Sequence, residues 1–193
     1  LEDEIKRHFG RAIEQPKANR SIDLYEVKYT SVDADGAPVM LSGLLAMPQQ
    51  KLTKGLVLFC HGTTADRRNV PSAMSPDNGV SIDTRLSILA FATAGYAVIA
   101  PDYLGLGIHE GIHPYAQRVN ARSGRDIVIA ARNFAGTRDF DFANRLYVTG
   151  YSEGGGIAMW TARELWAETD RRLHPTAAAP LSGPYDLSHT MAH

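Results

Sequence analysis

Hydrophobic and polar residues alternate over residues 25–32, near the start of the chain, a pattern typical of a strand with one buried face. Residues 39–47 form a second strand-like segment, which Pro48 closes. Residues 33–36, which lie between them, read Asp-Ala-Asp-Gly, a turn sequence. The two segments are therefore predicted to pair as an antiparallel β-hairpin.

From residue 55 onward, short apolar segments alternate with longer segments of helical periodicity. The apolar segments are strand-like, and comprise residues 55–60, 96–100, 146–149 and 176–182. The first two are continuously apolar, as expected for strands buried on both faces of a sheet. Helical patterns occupy residues 86–94, 117–134 and 157–168. This alternation predicts an α/β fold, in which a mostly parallel sheet carries helices on both faces and the antiparallel hairpin precedes it.

A shorter helical pattern and a polar loop account for most of the remaining sequence. Ile5, Phe9 and Ile13 recur at helical spacing, which predicts a short amphipathic helix in the first 20 residues. Residues 65–82 are polar and contain prolines and a glycine, so they are predicted to form a long loop. Since no repeat, low-complexity tract or linker divides the sequence, residues 1–193 are predicted to form one domain.

The composition is that of an ordinary globular domain and argues against several classes of partner. Of the 193 residues, 44% are hydrophobic and 21% are charged. The formal net charge of -1 gives no electrostatic reason to expect nucleic acid or an anionic membrane as partner. The single cysteine, Cys60, cannot form an internal disulfide. No apolar run approaches the ~20 residues of a membrane span. No signal-peptide pattern is found, although a chain that starts at Leu1 leaves its compartment open.

One serine stands at the junction of a predicted strand and a predicted helix. Residues 150–155 read Gly-Tyr-Ser-Glu-Gly-Gly. A Gly-x-Ser-x-Gly sequence between a strand and a helix is typical of a nucleophile elbow. Side chains at Gly150 and Gly154 would collide across the tight turn, and the serine backbone is expected to be strained. Ser152 is therefore the candidate nucleophile. The alternative is a glycine-rich turn whose serine merely caps the helix.

A serine nucleophile needs a base and donors for the oxyanion. Its hydroxyl reacts poorly at neutral pH without an adjacent base, usually a histidine held by a carboxylate. The backbone N–H of Glu153 is a candidate oxyanion donor, because N–H groups at a helix start are unpaired and the dipole there is positive. The Glu153 side chain suits this first turn on electrostatic grounds alone.

The second oxyanion donor is expected in the loop after the first central strand. Residues 61–64, His-Gly-Thr-Thr, occupy that place, and the backbone N–H of Thr63 is preferred over that of Thr64. His61 is expected to hold this loop by a hydrogen bond, and not to act as the catalytic base.

Taken together, four stretches of the chain form a pattern that is specific to one protein family. They are LVLFCHGTT (56–64), PDYLGLG (101–107) with HPY (113–115) after it, LYVTGYSEGG (146–155) and PLSGPYDL (180–187). In content and order they resemble the α/β-hydrolases, and most closely the bacterial esterases and secretory-lipase-like enzymes. The resemblance implies hydrolysis of small-molecule carboxylic esters through an acyl-serine intermediate, with no cofactor or metal. It also favours a secreted or periplasmic location.

The resemblance assigns roles to further residues in the loop after residue 100. It implies that Asp102 and the HPY stretch mostly shape the wall of the pocket. It also implies that His109 and His113 are loop residues and not a metal-binding pair.

The chain offers few candidates for the acid and the base of a triad. In this fold the order is Ser, acid, His. Asp186, His189 and His193 remain after Ser152, but Asp186 comes one strand early and both histidines are too close to it to come from a separate loop. We therefore expect a missing C-terminal segment or a second polypeptide to complete the site. The chain is expected to be the N-terminal portion of a longer catalytic domain, with an unpaired edge at its last strand.

Two other interpretations remain open. A peptidase or an acyltransferase on the same fold would use the same elbow. A non-catalytic hydrolase-like domain could bind a ligand or a partner protein, although a binding module has no need of a strained serine. The acyl chain and the alcohol of the substrate do not follow from the sequence.

Overall fold

The centre of the molecule is a mixed sheet of six strands. The computed structural model describes residues 20–49, 53–75, 80–138 and 140–186. The strands are Ile22–Val32 (β1), Pro38–Pro48 (β2), Leu56–Cys60 (β3), Ala97–Pro101 (β4), Leu146–Tyr151 (β5) and Ala177–Leu181 (β6). The helices are Ile82–Thr93 (α1), Gln117–Thr137 (α2) and Glu153–Trp166 (α3). Two short 3-10 turns cover Pro71–Ala73 and Arg171–Leu173.

The strand order is β1-β2-β4-β3-β5-β6. β1 pairs with β2, and β2 with β4, in antiparallel orientation. The other pairs, β3 with β4, β3 with β5 and β5 with β6, are parallel. The predicted α/β class, the N-terminal hairpin and the mostly parallel remainder are therefore confirmed. The amphipathic helix predicted in the first 20 residues lies outside the described residues, apart from Arg20.

Alternate residues of the central strands pack into two separate cores, one on each face of the sheet. On one face, Leu56, Leu58 and Ile99 pack with the buried residues of α2 and α3, such as Ile127 and Ile157. On the other face, residues such as Val57, Phe59, Val98 and Ala100 pack with Ile88 and Ala92 of α1. β3 and β4 are buried along their whole length, as their continuously apolar sequences predict. Helices on both faces therefore hold the carboxyl ends of the parallel strands in fixed positions.

Two helices begin earlier than their hydrophobic patterns predict. α1 starts at Ile82 and not at residue 86, with Asp83 in its first turn, where a carboxylate interacts favourably with the helix dipole. α3 starts at Glu153, as the elbow motif predicts, four residues before its hydrophobic pattern begins at residue 157 and although three consecutive glycines follow. Glycine disfavours a helix by about 1 kcal/mol per residue, so tertiary packing has to offset this cost. α3 therefore starts directly after Ser152.

β6 forms an exposed edge of the sheet. Among the described strands it pairs only with β5, and four of its five residues are exposed. A groove of about 570 Å³ on the α3 face is lined by residues that include Met159, Trp166 and Pro180. A smaller apolar groove, of about 220 Å³, lies on the α1 face. The predicted unpaired edge at the last strand is thus present in the described part of the chain. No helix in that part has both the length and the apolarity to cross a membrane.

Candidate active site

Ser152 occupies a strained turn between the last residue of β5 and the first residue of α3. Its backbone has φ 57° and ψ -125°. A side-chain-bearing residue at such a positive φ costs of order 1–3 kcal/mol, so its surroundings must hold it there. The Ser152 N–H donates to the Leu181 carbonyl at 3.0 Å, and the Ser152 carbonyl accepts from the Gly155 N–H at 2.9 Å. The strand, the sharp turn and the helix predicted around this serine are all found.

Gly150 and Gly154 let the turn approach the end of β3. A Cβ atom at Gly150 would lie 2.7 Å from the Cys60 carbonyl oxygen and would also collide with the carbonyl of Gly154. A Cβ atom at Gly154 would collide with the carbonyl oxygens of both Cys60 and His61. The predicted collision across the turn is therefore real, and a second collision, with the neighbouring strand, adds to it.

The loop after β3 lies beside Ser152. A Cβ atom at Gly62 would lie 3.8 Å from the Cβ of Ser152 and 3.5 Å from the carbonyl oxygen of Tyr151. Thr63 is exposed, and no hydrogen bond of its backbone N–H is found among the described residues. The Glu153 N–H opens α3, where no carbonyl of the helix can accept it. The structure thus places Gly62, the residue before Thr63, close to Ser152, while Glu153 follows Ser152 directly as the first residue of α3.

His61 is buried, with 2% of its surface exposed. Its Nδ1 lies 2.7 Å from the Gly62 carbonyl oxygen and its Nε2 lies 3.3 Å from the Asp102 carbonyl oxygen. Burial lowers the pKa of this imidazole below its ordinary value. Both ring nitrogens face carbonyl groups, which is the loop-holding arrangement expected for this residue.

The observed environment of Asp102 does not match the pocket-wall role that the resemblance implies. Its side chain is fully buried and forms no exposed pocket wall. One oxygen accepts from the hydroxyls of Ser42 at 2.6 Å and Ser72 at 2.5 Å, and the other accepts from the Ser72 N–H at 2.9 Å. Burial raises the pKa of this carboxyl, and the hydrogen bonds from the two serines oppose that shift. Asp102 therefore ties β2, the 3-10 turn at Pro71–Ala73 and the end of β4 together.

Replacing Asp102 with alanine is expected to destabilise the fold by about 2–4 kcal/mol. The substitution would leave the buried Ser42 hydroxyl and the half-buried Ser72 hydroxyl without their acceptor and would open a cavity. Thermal unfolding of Asp102→Ala, compared with wild type, measures the effect. The matched control is Asp35→Ala in the exposed hairpin turn, expected to change stability by less than ~0.5 kcal/mol. Equal stability of the two variants would show that the buried contacts contribute little.

Two histidines of the loop after β4 hydrogen-bond to its backbone, as expected of loop residues. His109 Nδ1 accepts from the Gly105 N–H at 3.0 Å. His113 Nδ1 lies 2.8 Å from the Leu104 carbonyl oxygen. Within the described ranges, no group of three or more His, Cys, Asp or Glu side chains could hold a metal ion.

The Glu153 side chain has a role that the sequence does not reveal. The expectation that it suits the helix start on electrostatic grounds alone is incomplete, because the side chain is 1% exposed and lies 2.9 Å from His113 Nε2. The two residues are 40 positions apart. The only sequence signal for the pair is that both fall in conspicuous motifs, HPY and GYSEGG.

Among the described residues, no hydrogen bond joins the Ser152 side chain to an acidic or a basic side chain. Asp186 is exposed and follows β6. His189 and His193 lie outside the described residues. The described residues thus include a candidate nucleophile and candidate oxyanion donors, and leave the triad partners unassigned.

Solved structures of hydrolases share this fold. A candidate hydrolase from Legionella pneumophila is 35% identical over 87% of this chain and 44% of its own, with a TM-score of 0.76. The rice cell wall degrading esterase LipA from Xanthomonas oryzae is 29% identical over 96% of this chain and 47% of its own, also with a TM-score of 0.76. Esterase Est22, at 17% identity and a TM-score of 0.61, shares the fold over 85% of this chain and 44% of its own.

No protein-family model and no curated protein sequence matches the chain significantly. The chain spans slightly less than half of the length of each of the three solved structures. The sheet order, the helices on both faces and these neighbours together show that the chain has the α/β-hydrolase fold, in the form that esterases share.

Proposed function

We propose that this chain is the nucleophile-bearing part of a serine hydrolase that cleaves carboxylic esters. The observation that carries the proposal is the strained backbone of Ser152 between β5 and α3, at φ 57°, beside the loop that contains Thr63. A turn that costs stability is retained where it serves a function. The likeness to solved esterases supports an ester as the substrate.

The proposed reaction has two steps. The Ser152 hydroxyl oxygen attacks the ester carbonyl carbon while a base takes the hydroxyl proton. The carbonyl oxygen becomes an oxyanion and accepts hydrogen bonds from the N–H groups of Thr63 and Glu153. When the carbon–oxygen bond to the alcohol breaks, the alcohol leaves with the proton and an acyl-serine remains. Water then attacks this acyl group in the same way and releases the carboxylic acid. Each donor of this kind contributes roughly 3–4 kcal/mol in the transition state.

The base and the acid are proposed to come from polypeptide other than the described residues. Residues 1–193 would be the N-terminal portion of a single catalytic domain. A C-terminal continuation or a second polypeptide would pair with the exposed edge of β6 and supply the triad partners. The exposed edge of β6 supports this proposal. The solved structures also support it, because each is about twice as long as the part that this chain matches. The 193-residue chain by itself is therefore expected to lack esterase turnover.

Labelling with a fluorophosphonate tests the nucleophile directly. In the catalytically complete protein, we expect one covalent adduct, mapped to Ser152 by peptide mass spectrometry and absent in Ser152→Ala. The 193-residue chain alone is expected to label far more slowly and to leave p-nitrophenyl esters uncleaved. Turnover by that chain, lost in Ser152→Ala, would contradict the missing-partner proposal. A complete protein that never labels would indicate a non-catalytic binding domain, and preference for amides or acyl transfer would indicate the peptidase or acyltransferase alternatives.

A further inference from the structure

Three aromatic rings stack between the loop after β3 and the start of α3. The ring centroid of Tyr103 lies 4.2 Å from the ring centroid of His61 and 6.0 Å from that of His113. The interplanar angles are 22° and 18°. Tyr103 is fully buried, and its hydroxyl donates to the His61 carbonyl oxygen at 3.0 Å. This group of three side chains, the ring stack, reaches from the residue two positions before Thr63 to the side chain of Glu153.

The loop that carries Tyr103 adopts an unusual backbone conformation, with positive φ angles, where it forms the ring stack. Tyr103 has φ 77°, and so has Gly105. A Cβ atom at Gly105 would collide with the backbone of His113. The loop therefore folds back on itself, so that His113 Nδ1 meets the Leu104 carbonyl and the imidazole covers Glu153. Such strain persists only where the surroundings fix it, and it commonly marks a functional site.

The Glu153 carboxylate depends on His113. Its Oε1 lies 2.9 Å from His113 Nε2. Its Oε2 is buried and has no hydrogen-bond partner among the described residues. Loss of His113 would therefore leave this carboxylate without a described partner. Such a loss is unfavourable, because burying an uncompensated charge is costly.

The contacts of His113 define its charged form. The Leu104 carbonyl can only accept a hydrogen bond, so Nδ1 carries a hydrogen. With a carboxylate at Nε2, a hydrogen on that nitrogen as well makes the ring an imidazolium and the pair a buried ion pair. Burial lowers the pKa of His113, but the hydrogen bonds to Glu153 and Leu104 and the charge of Glu153 outweigh it, so the pKa is raised above its ordinary value of 6.5.

We propose that the ring stack and Glu153 form a positioning network that fixes the Thr63 and Glu153 N–H donors on either side of Ser152 and neutralises the carboxylate beside the oxyanion. This inference rests on the proposed function. One end of the network is His61, in the loop of the first donor. The other end is the residue that carries the second donor. An uncompensated Glu153 carboxylate would oppose the developing negative charge, and the His113 imidazolium cancels that effect.

The network predicts a kinetic effect on turnover more than on binding. In the catalytically complete protein, His113→Gln is expected to lower kcat for a p-nitrophenyl ester by about 10–100-fold with little change in KM, because displaced donors affect the transition state. Glu153→Gln removes the buried charge and keeps a side chain of the same shape, so a smaller loss is expected. The matched control, His109→Gln, lies in the same loop and does not contact Glu153. It is expected to keep kcat within about twofold.

The pH dependence follows from the sign of the His113 shift. The protonated form is the one that pairs with Glu153, so its contribution is present below the ordinary pKa of 6.5 and is lost as pH rises through the raised value. Among the described residues, the titratable groups Glu153 of α3 and Tyr103 face His113, and His61 lies behind Tyr103. Burial raises the pKa of Tyr103 and lowers that of His61, so neither gains charge over this range. An alkaline decline of kcat is expected, and it should weaken or disappear in Glu153→Gln, in which deprotonation of His113 leaves no buried carboxylate uncompensated.

Imidazole NMR provides a second measurement if His113→Gln fails to fold. With ¹⁵N-labelled histidine, His113 is expected to titrate at lower pH in Glu153→Gln than in wild type. An unshifted titration would overturn the inference. So would variants that lose thermal stability while kcat and its pH profile stay unchanged, since that result shows a purely structural role. Failure of the proposed function is separate, because it would appear as undiminished turnover in Ser152→Ala.

Discussion

Replacing Ser152 with alanine is expected to lower kcat/KM for a p-nitrophenyl ester by roughly 10⁴–10⁶-fold in the catalytically complete protein. The substitution removes only the hydroxyl, so no acyl-enzyme can form at this position. The donors beside it would remain in place, and the residual rate over water would come from them and from substrate binding. Steady-state kinetics at several ester concentrations, with the pre-steady-state release of p-nitrophenol, measure the effect. The burst of p-nitrophenol is expected to disappear.

Two comparisons make this result specific. Ser182→Ala changes an exposed serine next to the carboxyl end of the adjacent strand, and it also has a positive φ, of 48°. It is expected to keep kcat/KM within about threefold, since it removes a similar hydroxyl from similar backbone. Thermal unfolding of Ser152→Ala should match wild type to within ~0.5 kcal/mol. Retained turnover in a folded Ser152→Ala protein would exclude Ser152 as the nucleophile.

The second large effect concerns Gly154. Substitution with alanine is expected to destabilise the protein by about 3–5 kcal/mol, because the added Cβ atom meets the carbonyl oxygens of Cys60 and His61. These are backbone atoms of the central strand β3 and its loop, so no flexible side chain can move aside. For a domain of this size, the midpoint of thermal unfolding should fall by roughly 6–20 °C. Any folded variant should also lose activity, since α3 and the loop after β3 would be pushed apart.

Gly136 provides the matched control for this prediction. It also lies in a helix, α2, but a Cβ atom there would meet nothing within 4 Å. Gly136→Ala is therefore expected to be neutral or to stabilise the protein by up to ~1 kcal/mol, through the higher helix propensity of alanine. If both variants unfolded at the same temperature, the tight approach of α3 to β3 would not be a constraint.

The fold could be predicted from the sequence because each element carries a local signal. β3 and β4 are continuously apolar and short, and residues 25–32 of β1 alternate, so period and length identify these strands. The start of α3 follows from the Gly-x-Ser-x-Gly motif and not from its hydrophobic period. Glycines at 154–156 argue locally against a helix, and only their packing explains them. Gly155 approaches the Leu181 carbonyl, and Gly156 approaches Gln117.

The candidate site was predictable where the chain itself brings residues together. Ser152, its flanking glycines and the Glu153 N–H belong to one turn, so their geometry follows from local sequence. The buried partners of Asp102 and the contact of Glu153 with His113 join segments 30 to 60 residues apart. Nothing in the local pattern indicates which polar side chains meet in the interior. The contact between Glu153 and His113 is therefore visible only in the folded structure.

The composition of β6 determines what kind of strand can join it. Its sequence is Ala-Ala-Ala-Pro-Leu, and Pro180 has no backbone N–H to donate. Identical copies of the chain would thus stack poorly on one another, because the proline interrupts the row of donors that cross-β growth requires. This edge is therefore poorly suited to open-ended self-association.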